Sequence, residues 1–264
     1  MICILRLAAT RWYKLGMTTE AAAVSYYMVF AIAPLLFITI LMAGLLFGRD
    51  YIMEELYMWG SVLGPEVLQL LSQSIFNFEM LTQAVSIPTV GVVFFSIMVI
   101  IMFNVFTGGL HKIWGIEENG WRDVLNKSIR SISFILLLQL FVLSLVLIGG
   151  INTFTAQIMP DWLIWFTQFI LMLIMTSVLF TVGYGVLSWS VIPFRYRFIG
   201  GCTASSLFMI AKLFVSLYIF VNPVPSLFGT AGLLVVLLIW VYISAAIIYY
   251  GAAVAKAAEE YAFF

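Results

Sequence analysis

Apolar residues in this chain run in long unbroken blocks, not at the three-to-four-residue spacing of a half-buried soluble helix. Blocks of about 18 residues or more read as membrane-crossing helices, since about 20 residues at 1.5 Å each cover about 30 Å of hydrocarbon. Six such blocks lie near Tyr26–Phe47, Ile87–Leu110, Ile132–Ile151, Leu163–Leu187, Ile199–Val221 and Ala231–Ala255. A β-barrel would instead alternate apolar and polar residues in roughly ten-residue strands. The pattern predicts an all-α fold: a polytopic membrane helical bundle of six transmembrane helices, forming a single transmembrane domain over residues 1–264.

The polar stretches between the blocks set the expected orientation. Arg6, Arg11 and Lys14 precede the first span. Lys112, Arg122, Lys127 and Arg130 follow the second, Arg195 and Arg197 follow the fourth, and Lys256 follows the sixth. With six spans these segments share one side, and Arg49 stands alone on the other. Positive charge marks the cytoplasmic side, so both termini are expected inside. Short interfacial amphipathic helices are expected in three places. Residues 1–20 carry Trp12 and Tyr13 at headgroup height, and 120–131 sets Trp121, Val124, Leu125 and Ile129 at helical spacing. Loop 48–86 mixes Glu54, Glu55, Glu66 and Glu79 with large apolar residues. Arg122, Lys127, Arg130, Arg195 and Arg197 are the expected interfacial lipid contacts; plain connectors with anchoring aromatics are the alternative.

Composition agrees with lipid as the solvent. Hydrophobic residues make up 64% of the 264 and charged residues 9%, against about 45–50% and about 25% in soluble domains, so a globular fold could not cover itself with polar surface. Twelve basic and twelve acidic residues cancel, which argues against nucleic acid as a partner. One histidine, His111, and two cysteines, Cys3 and Cys202, do not make a Cys/His metal site. Both cysteines fall on the expected reducing side, so no disulfide is expected. The first residues lack a cleavable signal pattern, and the first span is expected to stay in the mature protein. No serine–histidine–acid set and no P-loop occurs, so neither catalytic residues nor a cofactor is expected.

Polar residues inside spans are costly and direct attention to function. Asn104, Thr107, Gln139 and Gln168 are mild cases that interhelical hydrogen bonding explains. Pro34 predicts a kink in span one, and Gly108, Gly109, Gly183 and Gly185 predict close helix approach or bending. Lys212 stands apart. It lies about nine residues, or roughly 14 Å, inside span five, beyond the reach of a snorkelling stem. None of the six spans contains Asp or Glu to pair with it. A hydrated cavity, an anionic ligand, a neutral amine or capping by backbone carbonyls remain as ways to hold it. Ser205 and Ser216 share its helical face by spacing. With Tyr26, Tyr27 and Asn104 they complete the expected lipid-binding set.

Four stretches resemble the YihY/virulence factor BrkB family of bacterial inner-membrane proteins, some of which carried a mistaken ribonuclease BN label. They are Ala21-Ala22-Ala23-Val24-Ser25-Tyr26-Tyr27 through Pro34; Gly109-Leu110-His111-Lys112-Ile113-Trp114-Gly115; Pro193 through Gly200-Gly201 to Lys212 and Tyr218; and Phe228-Gly229 through Leu238-Ile239-Trp240 to Gly251-Ala252. His111 departs from the family's asparagine, and Ala253 stands where an acidic residue commonly follows. The second departure removes a carboxylate that could have paired with Lys212. The resemblance implies a bacterial inner-membrane location and a part in envelope integrity, serum resistance and movement of lipid or lipid-linked material. Nuclease chemistry finds no acidic metal ligands beside a basic groove.

Two functions follow as expectations. One is transporter- or flippase-like handling of an anionic lipid or amphiphile, with Lys212 attracting the headgroup from a hydrated cavity. The other is a non-transporting scaffold for envelope integrity, with Lys212 capped by backbone carbonyls. Membrane lipids are the expected partners; a homo-oligomer or an envelope protein partner stays open.

Overall fold

The computed structural model describes residues 2–47, 87–117, 120–155, 160–188, 191–221 and 224–262. Among them the structure is all helical: α1 (Ile2–Lys14), α2 (Met17–Phe47), α3 (Ile87–Trp114), α4 (Trp121–Thr155), α5 (Asp161–Leu187), α6 (Phe194–Val221) and α7 (Val224–Tyr261). Five of these contain stretches long and apolar enough to cross a membrane. They are Ile97–Trp114, Trp121–Leu145, Trp162–Leu187, Phe194–Leu217 and Leu234–Tyr261. The pair Cys3–Lys14 and Met17–Ile32, bent by 66°, makes a sixth if counted as one span. Loop 48–86, with its four glutamates, lies outside the described residues. The chain divides into two compact units, residues 30–99 and the remainder. The packing below concerns the second.

Turn chemistry explains where helices stop. Gly16, at φ 67°, separates α1 from α2. Gly115, at φ 70°, ends α3, and Ile116 N–H donates back to His111 O at 2.9 Å. That is the bond a left-handed glycine just past a helix allows. Segment 121–131, expected as a separate interfacial helix, forms the opening turns of α4. With Pro absent and no Gly after Gly120 until Gly149, nothing in the sequence breaks the backbone ladder there. Residues 2–14 do form a short helix of their own.

The centre of the unit is the C-terminal half of α7, where Tyr249, Gly251, Ala252, Ala253, Val254, Ala255, Ala257 and Ala258 are all buried. Small side chains let neighbouring backbones close on it. A Cβ on Gly251 would stand 2.6 Å from Ala204 Cβ and 2.6 Å from the Tyr184 hydroxyl, so α6 and α5 both press on this point. Gly200 meets Gly251 O and Ala255 from the α6 side.

Larger side chains then reach α7 from three other helices. Tyr184 of α5 donates to Ile248 O at 2.7 Å, Trp114 of α3 to Ala252 O at 3.3 Å, and Trp12 of α1 to Ala246 O at 3.2 Å. In return Tyr249 donates to Phe106 O at 3.1 Å and Tyr250 to Leu5 O at 3.2 Å. Stacked rings continue from Tyr249 to Phe106 and on to Phe134 of α4. Away from this centre the helices present apolar stripes. Leu136 and Leu140 on α4, Phe166, Ile170, Ile174 and Val178 on α5, and Leu213, Phe214 and Leu217 on α6 are exposed at helical spacing, as a lipid-facing surface requires.

Candidate functional site

The α5–α6 seam carries the unusual polar chemistry. At one end the last turn of α5 meets the first turn of α6, and α4 closes the third side. Arg130 and Ser133 of α4, Thr181, Val182, Gly185 and Val186 of α5, and Phe194 and Arg197 of α6 line an open groove of about 490 Å³ there. Pockets for small ligands fall in the range of about 300–1,000 Å³.

Each arginine is held in a distinct way. Arg130 donates to Val186 O at 3.1 Å, one of the last carbonyls of α5, where no helical N–H follows and the helix dipole favours a cation. Arg197 lies against the Phe194 ring, its guanidinium carbon 6.0 Å from the ring centre. A Cβ built on Gly185 would collide with a terminal nitrogen of that guanidinium, so the absence of a side chain at 185 makes the seat. The Arg197 Nε is buried and has no hydrogen-bond partner among the described residues. A buried, charged donor left open is costly unless something accepts from it.

Farther along the seam, Thr181 packs against Gly201, and Ser205 is fully buried, donating to Leu173 O at 2.9 Å and hydrogen-bonded to Thr176. Beyond them is Lys212, exposed on the surface of α6 within the Phe194–Leu217 span, with its Nζ 3.2 Å from Met172 Sδ. A thioether is a weak acceptor. Lys212 is therefore neither enclosed in a cavity nor capped by carbonyls among the described residues. Fifteen residues of α6 put it about 22 Å from Arg197 along the helix axis.

The expected lipid-binding set is tied to different neighbours. Ser216 is exposed like Lys212, but Ser205 turns into the α5 contact and is not part of an open polar face with them. Asn104 joins the α3–α4 seam, donating to Ser128 Oγ and accepting from Ser131 Oγ, both at 3.1 Å. Tyr26 and Tyr27 pack edge to face on α2. Of the five expected interfacial cations, the structure brings Arg130 and Arg197 into one groove. Arg122 lies over the Trp121 ring, Lys127 reaches over Gly108, and Arg195 is exposed. Gly185, Phe194 and Ser133 are groove residues that sequence reasoning missed; the only signal was a glycine in the last turn of a span followed by a basic loop.

His111, fully buried, points Nε2 at Leu187 O at 2.9 Å. A carbonyl only accepts, so Nε2 carries the hydrogen. No group of three or more His, Cys, Asp or Glu that could hold a metal ion occurs among the described residues.

The family described as virulence factor BrkB matches residues 8–263. The chain belongs to that family. Relatives named UPF0761 membrane proteins occur in three bacteria. The one from Idiomarina loihiensis is 28% identical over 197 residues, covering 69% of this chain and 65% of the relative. The one from Alcanivorax borkumensis is 26% identical, covering 92% and 57%. The one from Teredinibacter turnerae is 25% identical, covering 94% and 58%. The chain thus spans about three fifths of the length of the curated relatives it matches. No solved structure matches. With its apolar helices, this is a membrane protein of the BrkB family.

Proposed function

We propose that this family member handles an anionic lipid or amphiphile in the bacterial inner membrane, in a transporter- or flippase-like manner that serves envelope maintenance, with both termini cytoplasmic. The observation that carries the reading is one helix seam with a cation at each end, Arg197 and Lys212, about 22 Å apart by helical rise and both bordering α5. Charge inside a membrane span is expensive unless a ligand or water offsets it, and among the described residues Lys212 has only a thioether as hydrogen-bond partner. An anionic headgroup would supply the missing charge. The exposed apolar residues next to Lys212, Leu213 and Phe214, suit its tails.

A scaffold would be served best by a lysine locked to carbonyls. The exposure of Lys212 supports the lipid-handling reading over that one.

The test is transbilayer movement of fluorescent phosphatidylglycerol in proteoliposomes, with the wild type beside Lys212→Met. Movement faster than in protein-free vesicles, and lost in the variant, is the expected result. Movement no faster than in empty vesicles would overturn the transport reading in favour of the scaffold.

A further inference from the structure

The groove at the Arg-bearing end of the seam has a chemistry of its own. Two guanidinium groups from different helices line it, and each is fixed by its surroundings: Arg130 by the Val186 carbonyl, Arg197 by the Phe194 ring and the gap at Gly185. Arg197 keeps a buried Nε–H with nothing to accept it among the described residues. Guanidinium presents its donors as a planar fork, which matches the paired oxygens of a phosphate and forms bonds about twice as strong as neutral ones. No acidic side chain is among the residues that line the groove, and Glu260, Glu20 and Glu259 pair with Arg11, Lys112 and Lys256. Val182, Val186 and Phe194 give the same groove an apolar wall. It lies where α5 ends and α6 begins, so a ligand there can keep its polar end at the rim and run its tails along the exposed residues of α5.

We propose that this groove binds the phosphate of a membrane amphiphile, with Arg197 as the principal donor, Arg130 as the second cation and Gly185 as the positioning residue that seats the Arg197 guanidinium. The proposal rests on the reading of the chain as a handler of anionic amphiphiles and assigns that ligand a phosphate and a first docking place separate from Lys212. The same chemistry would accept a phosphate free in water, and the apolar wall favours the lipid.

Native mass spectrometry of the full chain in neutral detergent tests it, with dioleoylphosphatidylglycerol, dioleoylglycerol, oleate and inorganic phosphate as probes. The wild type should retain phosphatidylglycerol, reject dioleoylglycerol, which has the same tails without phosphate, and hold oleate, a carboxylate, less well. Arg197→Met should lower phosphatidylglycerol retention by about tenfold or more, the scale of one charge-assisted bidentate pair. Gly185→Ala, which leaves every charge in place, should lower it comparably by displacing the guanidinium. Thermal unfolding of both variants without lipid shows whether they are folded, and Arg197→Lys, keeping charge without the fork, should recover only part of the binding. Retention at the wild-type level in folded Arg197→Met and Gly185→Ala would overturn the site. If Lys212→Met alone abolished retention, the groove would fall while the wider function stood. Inorganic phosphate displacing the lipid at equal concentration would replace the lipid with a soluble phosphate as ligand. No retention of any probe by the wild type would remove both the site and the reading beneath it.

Discussion

The phenol of Tyr249 fills the space that any side chain at Gly109 would need: a Cβ there would stand 2.6 Å from its hydroxyl oxygen. The same hydroxyl donates to Phe106 O, so the contact joins α7 to α3 through packing and a hydrogen bond together. Gly109→Ala should therefore cost about 1–3 kcal/mol, the usual penalty for forcing a methyl into a filled core. Tyr249→Phe keeps the stacked ring and should cost only about 0.5–1.5 kcal/mol. Melting curves in detergent measure both, and an unchanged Gly109→Ala melt would mean that the ring yields freely.

His111 satisfies the carbonyl of Leu187, in the last turn of α5, with a bond across the core. His111→Leu keeps the bulk apolar and removes the donor, leaving a buried acceptor. The expected loss is about 1–3 kcal/mol. A variant that melts with the wild type would show that another donor reaches Leu187 O.

Gly251 is hemmed by Ala204, Tyr184 and the backbone of Gly200. Gly251→Ala should push α6 from α7 and destabilise by about 1–3 kcal/mol. The same substitution at Gly16, whose Cβ would meet nothing within 4 Å, tests backbone strain alone, since its φ is 67°. Both should lower the melting temperature, but only Gly251→Ala should also speed cross-linking or proteolysis at the α6–α7 contact.

Arg11 grips Glu260 with one terminal nitrogen, 2.7 and 2.9 Å from its two carboxylate oxygens, tying α1 to the end of α7. Both side chains are partly exposed, 25% and 35%, so solvent screening holds the coupling to about 1 kcal/mol or less. A double-mutant cycle with Arg11→Ala and Glu260→Ala reads it. The coupling should shrink further at high salt; a value that ignores salt would mean the pair is shielded from solvent.

The helices were legible because lipid imposes a length on every crossing segment, and no packing detail is needed to see a block of twenty apolar residues. The site was legible only in part. Lys212 was identifiable as a costly charge from its position alone. Its relation to Ser205 was not, because helical spacing gives an angle around α6 but not which neighbour occupies it. Gly201 admits Thr181, α5 closes in, and Ser205 is drawn into the contact while Lys212, farther along, stays outside. Arg130 and Arg197 were recognisable as cations near an interface. That they share a groove depends on α4 and α6 meeting across α5, which no local pattern encodes. Gly185 read as a packing glycine; what packs there is a guanidinium, a fact that belongs to the tertiary structure.

The donors on Trp12, Trp114 and Tyr184 precede in the chain the carbonyls of α7 that they bind. As the ribosome delivers the helices in order, these three polar groups reach the bilayer before their acceptors exist. Water, lipid headgroups or an insertion chaperone must serve them in the interval. Arriving after the helices whose donors it serves, α7 thus closes their packing, and a defect in its alanine-rich segment would be felt as a failure of biogenesis before it was felt as a loss of activity.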